Sequence, residues 1–600
     1  MTFREQGGCM NCCDPSTKPN PNVEPCRCKP GAIALVFVPG IMGSRLRNTK
    51  TQEVVWDPAA GQHGSLSPAF DEAAQRNKEK LESYEVASDA SFWTKSYNSL
   101  KKVGVGSYGK LKNDASEVYR QGRRKYRFVK SLAEFTFSDA ADRKALLVNT
   151  QLGAVIRDDG LLEVDDGTDR YFYTITGRTG LGTEEIKSRG WGEISWDSYG
   201  NYLNFLEKEI ACGDVARKFP GYKIQTYAVG YNWMLSNRDS GKRLKQRLVE
   251  IRKELSELAD IPPEKVKIVV ITHSMGGYVA RSAAILDGAV IDKMIHGAMP
   301  THGSPATYAN AHHGYPYFEG LVLGVNGAEV SAILGFCQGG LELLPNQHYK
   351  KVDGTRDWLW IENDQGEKTS LLEGYQGLNI YEFYKDLDSW YSFVSVDLLM
   401  PDRKKVQVDY GKLGLNHRIR ISMVKNFHSL LSNKFHLETL ILFNEDLDIQ
   451  FPSYDECIWS GNDYPRGVCS DWLLADENST NKFFSKRNIT LTSAADLDEY
   501  QQQVKQHEKF PFLNGHSAVA DPKLQTVTFE LKNPSAPGDG TVHQGAGNQL
   551  ALGCGVKLPI VEGEAHQEFY DSGEVRQAVK SELEHYIEKS FYEDYKYGVS

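Results

Sequence analysis

VKIVVITHSMGGYVA, residues 266–280, is the stretch of sequence that decides the fold. Its first half is a short apolar run that predicts a buried strand, and its second half is rich in small residues and predicts a helix. Ser274 stands at the junction. On a sharp strand-to-helix turn a serine hydroxyl projects from the sheet, and the N-terminus of the following helix offers a positive end where an anion forms. Ser274 is therefore the candidate nucleophile, with an ordinary turn serine as the alternative.

The residues that follow Ser274 fit a strained turn, whereas Thr272 before it departs from the expected pattern. Gly276 and Gly277 lack side chains, which lets neighbouring backbone pack against the turn. The expected pattern is Gly-x-Ser-x-Gly, and Thr272 stands where that pattern has its first glycine. The prediction therefore depends on the flanking strand and helix as well as on the pattern.

Strands and helices alternate outward from this turn. A continuous apolar run at 32–38 (AIALVFV) predicts a strand that is covered on both faces. Other runs predict strands at 222–229, 290–298, 437–443 and 524–531. One helix is predicted by apolar residues at spacings of 4, 3, 4 and 3, namely Leu244, Leu248, Ile251, Leu255 and Leu258. Such alternation is typical of an α/β fold with a mostly parallel central sheet and helices on both faces.

Segments of different composition interrupt this alternation and predict the domain organisation. The core is expected to comprise residues 32–60, 190–310, 436–445 and 524–600. The remaining segments are an N-terminal arm rich in cysteine and proline at 1–31, insertions at 61–189 and 446–523, and an aromatic-rich cap or lid at 311–435.

Composition excludes some classes of function. The 600 residues carry 79 acidic and 69 basic side chains, a formal net charge of -10, which argues against a nucleic-acid binder that depends on phosphate contacts. No stretch reaches the roughly 18 to 20 consecutive apolar residues that a spanning helix needs. The N-terminus, MTFREQGGCM, lacks the apolar run of a secretory signal peptide. We therefore expect synthesis in the cytoplasm without such a signal.

The cysteines and one basic cluster leave alternatives open. Cys457 and Cys469 are close enough in sequence to form a disulfide in an oxidising compartment. Basic residues between positions 120 and 130 fit either anionic headgroups or a solvated face. The cysteines of the N-terminal arm fit either a zinc site or an arm that is flexible or tied by disulfides, and they are Cys9, Cys12, Cys13, Cys26 and Cys28.

A serine nucleophile needs a base to take its proton and an acid to orient that base, and here both should follow the serine in the order acid, then histidine. The loop PGDGTV (537–542) presents Asp539 after a predicted strand, and His566 follows 27 residues later. These are the candidate acid and base. The alternatives are that Asp539 is only a turn residue and that His543 or His302 is the base.

Two backbone N–H groups should stabilise the negative oxygen that forms on the substrate. Met275, the residue after the nucleophile, is expected to supply one of them. The loop PGIMGS (39–44) is expected to supply the other through Ile41, or failing that through Met42. A simple tight turn is the alternative interpretation of this loop.

Seven motifs together resemble the lecithin:cholesterol acyltransferase-like branch of the α/β-hydrolases, which includes lysosomal phospholipase A2 and bacterial lipases. The resemblance implies the α/β-hydrolase fold and supports the triad and oxyanion residues proposed above. Asn232 stands where the family has aspartate, which leaves the role of that carboxylate in doubt. The motifs are VFVPGIMGSRL (36–46), YNWMLSN (231–237), THSMGG (272–277), MPTHGSP (299–305), LELLPNQHY (341–349), GDGTV (538–542) and GEAHQ (563–567).

A second resemblance, to bacterial lipase effectors delivered by type VI secretion, rests on the architecture and on RGWGEISWDSYG (189–200). It implies export by that route, action in the envelope of a target cell, an immunity protein as partner, and docking of the N-terminal arm on a component of the secretion machine.

The expected function is a lipolytic serine esterase, in particular a phospholipase A that acts on membrane glycerophospholipids at the membrane surface. Candidate lipid contacts are Met42, Trp233, Leu343 and Leu344. The apolar segment 318–344 fits either a membrane surface or buried packing in the cap. The alternatives are a lipid acyltransferase that uses the same acyl-enzyme and a non-catalytic lipid- or partner-binding scaffold. The chemistry requires no metal or organic cofactor, and calcium binding in the acidic loops is an alternative.

Overall fold

The structure is a computed structural model of the 600-residue chain. The N-terminal arm, the basic cluster at 120–130, Cys469 and most of both insertions lie outside the described residues. The residues that the structure describes are 31–52, 54–56, 144, 162–167, 180–219, 222–315, 324, 327–362, 366–387, 389, 391–394, 399, 410–461, 516–520, 526–547, 549 and 555–598.

The strands of the described residues form three sheets. In chain order they are β1 (Gly31–Val38), β2 (Leu46–Asn48), β3 (Val54–Trp56), β4 (Leu162–Val164), β5 (Tyr222–Ala228), β6 (Val266–His273), β7 (Lys293–Gly297), β8 (Leu359–Glu362), β9 (Lys368–Ser370), β10 (Thr439–Asn444), β11 (Cys457–Gly461), β12 (His516–Ala520), β13 (Thr526–Leu531) and β14 (Val556–Ile560).

Helices connect and cover these sheets. In chain order they are α1 (Thr183–Ser188), α2 (Trp196–Phe205), α3 (Asp214–Lys218), α4 (Asn237–Ala259), α5 (Gly276–Ile285), α6 (Ala306–His313), α7 (Gly327–Leu334), α8 (Gln338–Leu341), α9 (Ile380–Lys385), α10 (Tyr410–Leu431), α11 (Gln544–Gly547) and α12 (Gly573–Gly598). The chain continues α2 as a π-helical segment, Leu206–Ala211, and adds short 3-10 turns at Pro263–Lys265, Gly377–Asn379 and His566–Asp571.

The central sheet has the strand order β14-β10-β7-β6-β1-β5, and every pair in it is parallel. Successive residues of β1 face opposite sides, because side chains alternate along a strand. Ala34 and Val36 join the apolar cluster that contains the buried face of α4, whereas Leu35 and Phe37 join the cluster that contains α2 and the start of α12. The predicted parallel sheet with helices on both faces is therefore confirmed.

In helix α4 most, but not all, of the predicted apolar stripe is buried. Ser236 caps its N-terminus by accepting a hydrogen bond from the backbone N–H of Arg238, and the helix ends at Asp260 in the left-handed conformation. The first four residues of the predicted stripe are buried, but Leu258 is 55% exposed. The apolar stripe is therefore covered at its first four positions and exposed in the last turn of the helix.

The second sheet joins segments that are far apart in the chain. Its order is β12-β13-β11-β8-β9, with β11 parallel to β8 and the other pairs antiparallel. The strand predicted at 524–531 is present as β13, but it pairs here and not in the central sheet. The cap supplies β8 and β9, and the insertion after β10 supplies β11 and β12, so the two segments share one sheet. Cys457, in β11, is a free and buried thiol.

The described part of the apolar segment 318–344 packs inside the cap. Val330, Ile333, Leu334 and Phe336 are at most 7% exposed, and they belong to the main apolar cluster. For these residues the interpretation as buried packing holds and the one as a membrane surface does not; residues 318–323 and 325–326 lie outside the description. Within the parts of the chain described, we find no helix that is both long enough and apolar enough to cross a membrane.

Candidate active site

Ser274 lies on the turn between β6 and α5 in a backbone conformation that non-glycine residues rarely adopt. Its φ angle is 51°, and its N–H donates to the carbonyl oxygen of Gly297 over 2.9 Å. Gly276 is sterically required because a Cβ atom there would meet backbone, whereas a Cβ atom at Gly277 would require the Met299 side chain to move. A Cβ atom at Gly276 would lie 2.5 Å from the carbonyl oxygen of Pro39, and one at Gly277 would lie 2.3 Å from Sδ of Met299. The turn thus has the strain and the close packing that the sequence predicts.

Thr272, at the position where the common pattern has glycine, is buried and hydrogen-bonded. The residue is fully buried, and its Oγ1 lies 2.8 Å from Nδ1 of His296 in a hydrogen bond. Its carbonyl oxygen accepts a hydrogen bond from the hydroxyl of Tyr570 over 2.7 Å. Both polar groups of the threonine are therefore satisfied, which explains why this chain tolerates a side chain there.

The structure brings Ser274, His566 and Asp539 together in one hydrogen-bonded line. Nε2 of His566 lies 2.9 Å from Oγ of Ser274, and Nδ1 lies 2.8 Å from Oδ2 of Asp539. The carboxylate can only accept, so Nδ1 carries the proton and Nε2 is left to accept from the serine hydroxyl. This is the tautomer that a base for Ser274 needs.

The Asp539 side chain is held by its own loop. Its second oxygen, Oδ1, accepts hydrogen bonds from the N–H groups of Thr541 and Val542 at 3.0 and 2.7 Å, and the residue is only 2% exposed. The carbonyl oxygen of Asp539 accepts from the N–H of His566 over 2.7 Å. The acid and base loops are thus joined through backbone as well as side chains.

Asn444 fastens both loops to the central sheet. It is the last residue of β10, and its side-chain N–H groups donate to the carbonyl oxygens of Gly538 and Glu564 at 3.4 and 2.7 Å. The chain leaves the sheet at β10, forms the long insertion, and returns to the carboxyl end of the same strand with Asp539. Asp539, 95 positions after Asn444 in the sequence, therefore lies at the carboxyl end of β10.

His543 and His302, the alternative bases, have other partners. Nε2 of His543 lies 2.9 Å from the hydroxyl of Tyr349, and Nδ1 accepts from the N–H of Ala546. Burial lowers the pKa of His543 to about 3. His302 is also buried, which holds its pKa well below the usual value, and it contacts Asn346. The structure pairs Ser274 with His566 and with neither of these histidines.

The loop after β1 forms a β-turn beside Ser274. The N–H of Gly43 donates to the carbonyl oxygen of Gly40, and Met42 has a φ angle of 60°. A Cβ atom at Gly40 would lie 3.2 Å from Cβ of Ser274, so the turn directly contacts the nucleophile. The N–H groups of Ile41 and Met275 donate to no acceptor within the described ranges, and their role as oxyanion donors stays a prediction.

A buried network that the sequence analysis missed links this loop to His566. The N–H of Gly40 donates to the hydroxyl of Tyr199 over 3.1 Å, and that hydroxyl lies 2.9 Å from Nδ1 of His273. Nε2 of His273 lies 2.8 Å from the carbonyl oxygen of His566. Burial raises the pKa of Tyr199 to about 12, while burial and the nearby His566 hold the pKa of His273 well below its usual value.

These protonation states fix the direction of every hydrogen bond in the network. The neutral His273 donates from Nε2 to the carbonyl of His566 and accepts at Nδ1 from the Tyr199 hydroxyl, which in turn accepts from Gly40. The only signals in the sequence were the histidine next to Ser274 and the tyrosine in RGWGEISWDSYG. Neither residue type in such a position indicates the contact between them.

Asn232, which replaces the family's aspartate, uses both ends of its amide. Its Nδ2 donates to the carbonyl oxygen of Leu162, and its Oδ1 accepts from the N–H of Met234, each over 3.0 Å. A carboxylate could accept the second bond but could not donate the first. The asparagine is therefore suited to joining β4 to the segment that follows β5.

The four candidate lipid contacts lie in different surroundings. Met42 and Leu343 are half-buried, and Met42 is part of the turn beside Ser274. Trp233 and Leu344 are fully buried, and the Trp233 ring packs edge-on against Trp56 with a centroid distance of 5.4 Å. Contact of Trp233 or Leu344 with a ligand requires movement of the residues that cover them. The lipid-binding roles of all four stay predictions.

Helix α8 of the cap packs against the side chains of Met275 and Ile41. A Cβ atom at Gly339 would lie 3.4 Å from Cε of Met275, and one at Gly340 would lie 3.4 Å from Cδ1 of Ile41. Glu342, just after the helix, is buried and accepts hydrogen bonds from the N–H of Asn237 and the hydroxyl of Ser236 at 2.8 and 2.7 Å. Burial raises the pKa of Glu342 to about 7. The cap is thereby fastened to the N-terminus of α4.

Metal binding is not indicated by the residues in the described segments, because no group of three or more His, Cys, Asp or Glu side chains there could hold an ion. The N-terminal cysteines, for which a zinc site is one interpretation, lie outside these segments.

Comparison with known proteins agrees with this architecture. A family model described as a PGAP1-like alpha/beta domain matches residues 217–320, which include Ser274. The crystal structure of the Tle4-Tli4 complex aligns with 94% of this chain and 99% of that chain, at 22% identity and a TM-score of 0.59. None of the curated proteins matches the sequence. The chain has the α/β-hydrolase fold, as predicted, whereas membership of the lecithin:cholesterol acyltransferase-like branch stays a prediction.

Two further solved structures match locally or weakly. Mature lipase BlEst2 from Bacillus licheniformis aligns with 23% of this chain and 51% of that chain, at 22% identity and a TM-score of 0.16. Phospholipase PlaB from Legionella pneumophila, in complex with thio-NAD, aligns with 60% of this chain and 90% of that chain, at 11% identity and a TM-score of 0.16.

Proposed function

We propose that the protein is a lipolytic serine esterase, in particular a phospholipase A that hydrolyses acyl esters of membrane glycerophospholipids. One observation carries the proposal: Nε2 of His566 lies 2.9 Å from Oγ of Ser274 while Nδ1 lies 2.8 Å from the buried carboxylate of Asp539. This geometry turns a weakly nucleophilic hydroxyl into an attacking group. The free amides of Ile41 and Met275 beside it support the same reaction.

The proposed reaction has two halves. Oγ of Ser274 attacks the ester carbonyl carbon and passes its proton to Nε2 of His566, and Asp539 stabilises the imidazolium that forms. His566 then gives the proton to the departing alcohol oxygen, which leaves an acyl group on Ser274. In the second half, His566 takes a proton from water, the resulting hydroxide attacks the acyl carbon, and the proton returns to Oγ as the fatty acid leaves.

The negative oxygen of each tetrahedral intermediate would lie between the N–H groups of Ile41 and Met275. Donors that are already oriented stabilise this charge without reorganisation during the reaction, and loss of one such donor typically costs about 3 to 4 kcal/mol of activation free energy. The network from Gly40 through Tyr199 and His273 holds the loop that carries Ile41 in register with the backbone of His566.

The lipid substrate and the biological setting are supported less directly. The cap over Ile41 and Met275 is rich in apolar side chains, and the seven motifs resemble a branch of acyl-ester lipases. The solved structure of Tle4 holds a second protein, Tli4. By analogy, we propose that this chain is a secreted type VI effector, acts in the envelope of a target cell and is neutralised by an immunity protein. Its N-terminal arm would then dock on the secretion machine.

Incubation with defined phospholipids tests the proposed function. We expect the wild-type protein to release fatty acid and leave a lysophospholipid, which mass analysis of the products identifies together with the ester bond that opens. Addition of a lipid alcohol should not divert the acyl group. A product in which the acyl group is attached to that alcohol would instead identify an acyltransferase, and no turnover of any acyl ester would leave only a binding scaffold.

The Tyr199→Phe variant tests the network behind the site. It keeps the ring but leaves the Gly40 N–H and Nδ1 of His273 buried without a partner, which should lower the free energy of unfolding by about 1 to 3 kcal/mol. Because the oxyanion loop then loses its register with His566, we expect kcat to fall about ten- to a hundredfold with little change in KM. Steady-state kinetics and denaturant unfolding measure both effects.

Tyr202 offers a matched control for this variant. It lies on the same helix, and its buried hydroxyl has no hydrogen-bond partner within the described part of the chain. Tyr202→Phe should therefore leave kcat unchanged and should not destabilise the protein. Equal kcat values for Tyr199→Phe and Tyr202→Phe would show that the Tyr199 hydroxyl does not position the catalytic groups.

A further inference from the structure

Helix α10 presents apolar side chains to solvent. Leu415, Ile419 and Met423 are 57%, 52% and 49% exposed. Their spacing of four residues places them in one stripe along the helix, because residues i and i+4 are neighbours on a helical surface. Exposed apolar residues scattered singly are ordinary on soluble proteins, whereas a contiguous stripe indicates an interaction site.

The opposite face of α10 is fully engaged in the cap. His428 is buried, with Nε2 2.8 Å from the carbonyl oxygen of Glu342 and Nδ1 2.9 Å from the hydroxyl of Tyr381. Ile421 and Val424 are fully buried in the main apolar cluster. The helix is therefore anchored without its outer stripe, and none of the described residues packs on the stripe in a way that would require it to be apolar.

The charge of α10 differs from that of the whole protein. The helix carries Lys or Arg at four positions and neither Asp nor Glu, in a chain whose formal net charge is -10. Arg418 is exposed and Lys425 is half-buried, and these two cations share one flank of the apolar stripe. An apolar stripe beside a basic flank is typical of helices that lie in the surface of an anionic membrane.

We propose that the outer face of α10 docks the protein on an anionic lipid surface. The inserted side chains would be Leu415, Ile419 and Met423, and the headgroup contacts would come from Arg418 and Lys425. The significance of this inference rests on the proposed lipolytic function, since it states how that enzyme reaches its substrate.

The docking face is one structural layer away from the candidate active site. Nε2 of Gln338, in α8, donates to the carbonyl oxygen of Arg420 in α10 over 3.5 Å. The next two residues of α8 cover Met275 and Ile41. A docked α10 would therefore hold the cap, whose helix α8 contacts the side chains of Met275 and Ile41, at the lipid surface.

Sedimentation with vesicles tests the docking face. The full-length Ser274→Ala protein, which should not consume the lipid, is mixed with vesicles of phosphatidylcholine alone or of equal parts phosphatidylcholine and phosphatidylglycerol. We expect binding that is stronger to the anionic vesicles. The Ile419→Asp/Met423→Asp variant should bind these vesicles at least about tenfold more weakly, because it places two charges where apolar side chains would insert into the lipid. Arg418→Gln/Lys425→Gln should remove most of the preference for anionic lipid.

A matched control comes from α4, where Val249 and Leu258 are 63% and 55% exposed but do not form a stripe. The Val249→Asp/Leu258→Asp variant should bind vesicles as the parent does. Equal binding by the α10 double-aspartate variant, or no binding by the parent, overturns the proposal. The proposal is also overturned if the parent protein does not bind vesicles and this face instead mediates a dimer or binds a protein partner.

Hydrolysis of a soluble short-chain ester separates this proposal from the proposed function. With Ser274 restored, the α10 variants should hydrolyse the soluble ester at the wild-type rate and vesicle lipid at least about tenfold more slowly. Absence of soluble-ester hydrolysis in the wild-type protein would reject the function and leave the vesicle result standing. Equal loss on both substrates would reject docking through α10.

Discussion

Ser274→Ala is expected to lower kcat for ester hydrolysis by about four to six orders of magnitude. The proposed reaction needs an attacking oxygen at this position, and neither His566 nor Asp539 can replace it. The fold should survive, because within the described residues Oγ of Ser274 makes one hydrogen bond, to His566, and alanine experiences the same backbone strain as serine at a φ of 51°. Fatty-acid release and thermal unfolding measure the two effects separately.

Hydrolysis by Ser274→Ala within about tenfold of the wild-type rate would contradict the assignment, since only transition-state binding should remain in that variant. A large loss of thermal stability would show that the variant reports on folding. In that case Ser274→Gly, which removes the hydroxyl and also relieves the backbone strain, is the variant to compare.

Asp539→Asn is expected to lower kcat about ten-thousandfold while leaving the loop intact. The N–H groups of Thr541 and Val542 both point at Oδ1, so the asparagine must keep its oxygen there and turn its NH2 group towards Nδ1 of His566. That nitrogen then has to accept, which moves the ring proton to Nε2, the atom that should take the proton of Ser274. The ring stays in place in the wrong tautomer.

Asp539→Ala is the comparison that separates chemistry from structure. It loses the same interaction with His566, and it also leaves the Thr541 and Val542 amides without their acceptor, which costs about 1 to 3 kcal/mol for each buried group. We expect similar losses of kcat in both variants but a lower melting temperature only for alanine. An asparagine variant with more than about a tenth of the wild-type kcat would contradict the role given to Asp539.

The parts of the fold that depend on local pattern were predictable from the sequence. The apolar run of β6 and the apolar stripe of α4 each indicate which residues of the segment are buried. Short-range periodicity is enough to identify these two elements. The turn at Ser274 was predictable for the same reason, because its strain, its glycines and its helix lie within a few residues of one another. Its position at the carboxyl edge of a parallel sheet then followed from the alternation of strands and helices.

The parts that depend on distant segments were not predictable in the same way. Asp539 follows β13, which belongs to the second sheet, yet it lies at the end of β10 because Asn444 holds its loop there. No periodicity records that contact across the insertion. Likewise, the hydrogen bond between Tyr199 and His273 joins residues that are 74 positions apart. The sequence does not indicate whether the hydroxyl of a buried tyrosine has a hydrogen-bond partner.

The outer face of α10 was missed for a different reason. The spacing of Leu415, Ile419 and Met423 is visible in the sequence, but spacing predicts which residues share a face and not whether that face is buried. The sequence of the stronger apolar segment, 318–344, fits either a membrane surface or buried packing, and its Val330, Ile333, Leu334 and Phe336 are buried in the cap. Only burial in the folded chain distinguishes the two.

Labelling with a fluorophosphonate tests the central claim most directly, because this reagent reacts with a serine that is deprotonated by a neighbouring base. The account predicts one adduct, located by peptide mass analysis on Ser274, that forms rapidly in the wild-type protein. The His566→Gln variant should form it at least about a hundredfold more slowly. An adduct on another residue, no adduct at all, or equal labelling rates with and without His566 would contradict the claim that His566 activates Ser274.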